Sequence, residues 1–166
     1  MSTSPLNSTN PALDTFLLQL ASQYSLSKRY APGEALFTEG DSANSMLLIL
    51  QGIVHVVKHT PETSELRVIA VRGVGDFLGE MAIVEESERF ATVIAQTDCD
   101  VLEFSRNSFE QAIREQPALA TRVLRSLSRK LRESDSFRLI ELEESNKMLA
   151  ASNAELSTLN AFLDRL

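Results

Sequence analysis

The apolar positions fall into distinct regimes along the chain. Between residues 12 and 23, Leu13, Phe16, Leu17 and Leu20 recur at the spacing of one helical face, which predicts a short amphipathic helix. From Tyr30 to Phe104 the apolar runs shorten and are separated by turn residues: Pro32-Gly33, Gly40-Asp41, Gln51-Gly52, Pro61 and Gly73-Val74-Gly75. Strands are expected over residues 46–50, 53–57, 66–71, 91–95 and 101–104, where the runs are continuous, β-branched or alternating. Short strands spaced by about ten residues suggest a sandwich or barrel, of which a jelly roll is one solution.

Beyond Phe104 the pattern is helical. Ser105 is placed to cap a helix carrying Phe109, Ala112 and Ile113, and Pro117 falls near the first position of a longer one. Neither Gly nor Pro occurs from Ala118 to Leu166. Leu119, Val123, Leu124, Leu127 and Leu131 form one apolar stripe, expected to pack on the β unit.

Further along, the period changes to seven. With Leu139 at heptad position a, Asn146, Asn153 and Asn160 take the following a positions, and Leu142, Leu149, Leu156 and Leu163 take every d. Leu at d with Asn at a favours a parallel two-stranded coiled coil in one register, because an Asn pairs with its symmetry mate only when the helices are aligned. A single g-to-e′ ion pair, Arg138 with Glu143 of the other chain, adds little charge selection. The alternative is a Leu stripe folding back on its own domain, where polar a positions gain little.

These patterns describe an α+β chain: a β jelly roll flanked by helices, followed by a long C-terminal helix forming a parallel coiled coil. Its expected parts are a mobile leader over residues 1–11, a sensor domain with its N-terminal helix over 12–135, and a dimerisation helix over 136–166. The leader is rich in Ser, Thr, Asn and Pro and has neither the charge nor the apolar run of a signal peptide. No stretch is apolar enough to span a bilayer, so a soluble, cytoplasmic protein with no membrane partner is expected.

Composition narrows the chemistry. The 16 Lys and Arg stand against 23 Asp and Glu, a net charge of -7, which disfavours DNA, where clustered cations supply most of the affinity. Cys99, the only cysteine, cannot form an internal disulfide, and with His55 and His59 alone it cannot make a zinc site. Cys99 is read as a small core residue, and the two histidines as structural or surface residues. No GxSxG, HExxH or P-loop is present, so no catalytic residues and no metal are expected. Gly73, Gly75 and Gly79 lie between strands and not at a βαβ turn, which argues against a dinucleotide site. Arg122, Arg125, Arg129 and Arg132 form a basic stripe opposite the Leu stripe, read as a solvated face.

The most informative stretch is DFLGEMAIVEESERFATV, residues 76–93, which combines a Gly-containing turn, a helix start and a lone Arg in an acidic setting. A cyclic nucleotide would use each part. Its ring phosphate presents two exocyclic oxygens, which suit the fork of Arg89 and backbone N–H groups in the turn at Leu78, Gly79 and Glu80. Its ribose 2′-OH needs an acceptor when buried, and Glu80 is placed to provide one. The bland alternative pairs Arg89 with Glu85, Glu86 or Glu88 at the surface and leaves Glu80 as a helix-start carboxylate.

Three blocks, YAPGEALFTEGD at 30–41, LLILQGIVHVV at 47–57 and FLGEMAI…ERFATV at 77–93, give the chain a resemblance to the cyclic-nucleotide-binding domain family, which includes catabolite activator protein and the regulatory subunits of cyclic-AMP-dependent protein kinase. The match extends over about residues 30–135. The resemblance implies a jelly roll flanked by helices, no catalysis, and a ligand-gated movement of the helix after the barrel. It implies that Glu80 holds the ribose hydroxyl and Arg89 the phosphate, with the amides of Gly79 and Ala91 on the phosphate oxygens and Leu78 and Met81 in the same cassette. It implies too that Ser134, beside Asp135, reads the base. One departure is Phe90, where the family commonly has Ala, Ser or Thr. The missing hydroxyl leans towards cAMP, with cGMP or a cyclic dinucleotide as alternatives; the ring either stacks on the base or blocks part of the pocket.

A cyclic-nucleotide receptor, homodimeric through its coil and acting on a downstream protein that the residues do not identify, is therefore the leading expectation. A structural dimerisation module with a degenerate pocket and a regulatory fragment of a longer signalling enzyme are the others. The coil stands where catabolite-activator relatives carry a helix-turn-helix, which is a second reason to expect no DNA partner.

Overall fold

The computed structural model describes residues 15–60 and 64–164. The expected leader lies outside them, as do Leu13 and the side chains of Phe16, Leu17 and Leu20. The first helix, α1 (Thr15–Tyr24), leads into β1 (Leu26–Tyr30), β2 (Ala35–Phe37), β3 (Ser45–Gln51), β4 (Val54–His59), β5 (Leu66–Arg72) and β6 (Phe77–Leu78). After the one-and-a-half-turn α2 (Glu80–Glu85) come β7 (Thr92–Ala95) and β8 (Cys99–Ser105), then α3 (Arg106–Glu115) and α4 (Ala118–Leu163). The five sequence-expected strands are all present as β3, β4, β5, β7 and β8.

The strands form two four-stranded antiparallel sheets, ordered β1-β8-β3-β6 and β2-β7-β4-β5. Between them lie Leu47 and Ile49 from β3, Val54 from β4, Leu78 from β6, Val93 and Ala95 from β7, and Cys99 and Val101 from β8. Full burial of one such aliphatic side chain contributes about 1.5–3 kcal/mol, so this apolar seam holds the two sheets together. Cys99 is fully buried within it, as a small core residue should be. No described helix is long and apolar enough to cross a membrane.

Ser105 caps α3, its hydroxyl accepting the N–H of Ser108 at 3.1 Å, as its position before the helical pattern suggested. Phe109 and Ala112 bury one face of α3, and the Tyr24 hydroxyl at the end of α1 donates to Glu115 at its last turn. The chain divides into two compact units, one to Val123 and a second from Leu124. Leu119 and Val123 are buried in the first. Of the rest of the expected stripe, Leu124 and Leu131 are 64% and 65% exposed. Both belong to the second unit, and Leu124 stands about 100° of helical rotation from the buried Val123.

Within the second unit the heptad leucines lie along α4 with their side chains outward. Leu139, Leu142, Leu149, Leu156 and Leu163 are all more than half exposed, and Asn146, Asn153 and Asn160 are exposed between them.

Candidate functional site

The site is built where β6 ends. Phe77 and Leu78 pair with Leu48 and Leu47 of β3 and are buried, which pins the turn that follows to the β6 edge of the first sheet. Gly79 then takes a φ of +77°, a left-handed conformation that favours residues without a Cβ. This bend starts α2 at Glu80, a residue that is only 4% exposed. Its carboxylate sits in the first turn, where the unpaired N–H groups of the helix favour negative charge. Met81, one residue on, is half exposed.

The second arm of the site is the segment before β7. Its backbone is tied to the β2–β3 loop by two hydrogen bonds, Gly40 N–H to Arg89 O at 2.9 Å and Arg89 N–H to Asp41 O at 2.8 Å. This fixes where the Arg89 side chain starts. The guanidinium is buried, donating from Nη1 to Gly79 O at 3.4 Å and from Nη2 to Ser45 Oγ at 3.3 Å. It also lies over the Phe37 ring, 4.2 Å from the centroid. Burial pushes the Arg89 pKa below its ordinary value, against the charges of Glu103, Asp41 and Glu80, which hold it up. An arginine shifted in this way is still a cation at neutral pH.

The surface alternative for Arg89 does not hold. Glu85, Glu86 and Glu88 are exposed, Glu86 pairs with Arg106, and among the described residues no carboxylate is in ion-pair contact with Arg89. A buried guanidinium that donates to neutral acceptors and rests on an aromatic face can still take an anion in bidentate fashion.

Leu78, Gly79, Glu80, Arg89 and Ala91 are thus brought together in the first unit, all of them at the β6–α2 turn or on the adjoining segment. Phe90 stands between Arg89 and Ala91 in the chain but is exposed. Its ring is 63% exposed and lies under the Lys58 ammonium, 3.5 Å from the ring centroid, while the same ammonium donates to Phe90 O at 2.7 Å and pairs with Glu39. Ser134 and Asp135 are exposed on α4 in the second unit. His55 is half-buried in β4, and His59 lies exposed beside Glu39.

Sequence reasoning missed Phe37, Asp41 and Ser45 as supports of Arg89. Phe37 and Asp41 lie in the block at 30–41, but nothing in their spacing from residue 89 marks a contact. Ser45 is an ordinary polar residue at the edge of an apolar strand.

Residues 27–116 match the family model of the cyclic nucleotide-binding domain. The Cyclic AMP receptor protein of Thermus thermophilus is 31% identical over 134 residues, which are 80% of this chain and 62% of that protein. A solved cyclic nucleotide-binding domain from Methylobacillus flagellatus superposes with a TM-score of 0.62 at 32% identity, over 68% of this chain and 65% of that one. The regulatory domain of Toxoplasma gondii PKA, co-crystallised with cAMP, superposes with a TM-score of 0.54 at 28% identity, over 61% of this chain and 38% of that one. The chain spans less than two thirds of the length of each of these relatives. Two antiparallel sheets, a long C-terminal helix and a matched segment that contains both arms of the site lead to one conclusion: the chain belongs to the cyclic nucleotide-binding domain family.

Proposed function

We propose that this chain is a non-enzymatic receptor for a cyclic nucleotide, cAMP, which dimerises through its C-terminal helix and signals by repositioning that helix. The observation that carries the reading is the buried Arg89 guanidinium, which donates to the Gly79 carbonyl and the Ser45 hydroxyl, both neutral acceptors.

In this reading the ligand's exocyclic phosphate oxygens take the Arg89 fork and the amides of Gly79 and Ala91, and Glu80 accepts the ribose 2′-OH. Leu78 closes the apolar side of the turn and Met81 borders it. Ser134, with Asp135 next to it, would contact the base from α4, so that occupancy favours one arrangement of the helix. A ligand shifts such an equilibrium only by the affinity it gains in one arrangement over the other. The strand orders β1-β8-β3-β6 and β2-β7-β4-β5 support a jelly-roll winding, and the exposed leucines at every d position support a parallel dimer. The aromatic Phe90 lacks the hydroxyl associated with guanine recognition in this family, which favours cAMP.

A thermal-shift panel tests the ligand class. A ligand at about 100 times its Kd stabilises the folded state by about 2.7 kcal/mol, a clear rise in melting temperature. The expected result is a shift with cAMP and smaller or no shifts with cGMP and cyclic dinucleotides; no shift with any of them sinks the receptor reading in favour of a dimerisation module with a degenerate pocket.

A further inference from the structure

Glu103 interrupts the apolar run of β8 with a carboxylate whose side chain is only 21% exposed. One of its oxygens accepts the hydroxyl of Ser45 on β3 at 2.8 Å, and the other pairs with the Lys28 ammonium on β1 at 2.5 Å. The single proton of Ser45 is therefore committed to Glu103, so its oxygen meets Arg89 Nη2 as an acceptor at 3.3 Å. Donation runs one way, from Arg89 to Ser45 to Glu103, with Lys28 closing the far end.

The geometry points to Ser45 and Glu103 as positioning residues that preset the Arg89 guanidinium for the ligand's phosphate, with Lys28 holding Glu103 in place. The inference rests on the cyclic-nucleotide reading of the site.

The physical case lies in the hydroxyl between the two charges. A carboxylate in direct, bidentate contact with Arg89 would have to be displaced before a phosphate could bind. A serine oxygen instead makes a long bond to a neutral acceptor, which a phosphate oxygen outcompetes. The Glu103 charge, one residue removed, still offsets the cost of burying the guanidinium. Lys28 cancels the negative charge that Glu103 would otherwise set near an incoming anion. An arginine held loosely but in the right place loses less freedom when the phosphate arrives.

Two readouts on the full chain test this. The first is the guanidinium NMR signal of Arg89 in the ligand-free protein, assigned by its loss in Arg89→Lys. The second is calorimetric titration with cAMP. Ser45→Ala and Glu103→Ala are expected to average the Arg89 signal to that of a freely rotating side chain and to weaken cAMP binding roughly 10-fold, the effect of one hydrogen bond to a charged group. Ser45→Thr, which keeps the hydroxyl, is expected to restore both, and serves with Glu103→Gln if an alanine variant fails to fold. An Arg89 signal unchanged in Ser45→Ala and Glu103→Ala overturns the relay, whatever the affinity does. If the unaltered chain binds no cAMP, the receptor reading fails, and the free-protein signal alone decides the relay.

Discussion

Nη1 of Arg89 occupies the space that a Cβ on Gly79 would fill, and the same nitrogen donates to the Gly79 carbonyl at 3.4 Å. The turn that begins α2 and the arginine ten residues later are therefore one unit of structure. Glycine is required at residue 79 twice over, once by a φ of +77° and once by the guanidinium lying against it.

Gly79→Ala should accordingly lower stability by about 1–3 kcal/mol through backbone strain, and it should also displace Arg89. Thermal unfolding is expected to show the lower melting temperature, and calorimetry a loss of cAMP affinity of at least ~10-fold, the value of one charge-assisted hydrogen bond. A variant that melts and binds like the parent would show that the turn is not coupled to the arginine.

The Lys58 ammonium stands 3.5 Å from the centroid of the Phe90 ring. Removing the ring by Phe90→Ala should cost about 0.5–1 kcal/mol of stability, the value of an exposed cation–π contact. The cAMP affinity should change by less than about threefold, because Phe90 is 63% exposed and its ring is engaged by Lys58. A large change in affinity on titration would place Phe90 in the binding pocket after all.

Acid should destabilise the first unit in a defined window. Burial raises the Glu103 pKa, but its hydrogen bonds to Lys28 and Ser45 and the nearby charges of Lys28 and Arg89 outweigh this, so the group lies below its ordinary 4.5. Glu39 is also held below 4.5, chiefly by the backbone N–H of His59. A carboxylate depressed in the folded state adds stability above its unfolded pKa, and that stability is lost as pH falls through the folded value. Melting temperatures should therefore hold above pH 5 and drop below 4.5, with Glu103→Gln flattening the drop. An equally steep drop in Glu103→Gln would assign the acid sensitivity to other carboxylates.

The exposed heptad face makes its own prediction. Leu149→Lys places a charge at a d position that is 59% exposed in the single chain, and sedimentation velocity should find the variant monomeric. Asn153→Leu should keep the chains associated while loosening the choice of two strands in register. A parent chain that sediments as a monomer at micromolar concentration would remove the coiled coil from the account.

The sequence made most of this fold legible where local patterns decide it. The run at 46–50 is continuous and apolar, and that at 101–104 is broken only by Glu103, because β3 and β8 lie in the middle of a sheet. The strand β1 was not visible, since four of its five residues are exposed and it carries Lys28 and Arg29 at the sheet edge. The two-residue β6 is too short to leave a period. Within the site, Gly79, Glu80 and Arg89 could be found because they share one stretch. Ser45 and Glu103 could not, because their contact spans 58 residues and is made only when β3 pairs with β8.

The central claim is that Arg89 binds the phosphate of a cyclic nucleotide, and the most direct test is calorimetric titration of cAMP into the parent chain and into Arg89→Ala. The account predicts saturable binding to one site per chain in the parent and a loss of at least about 100-fold in the variant, the value of a bidentate charged contact, with cooperative unfolding retained. An affinity unchanged in a folded Arg89→Ala protein would contradict it.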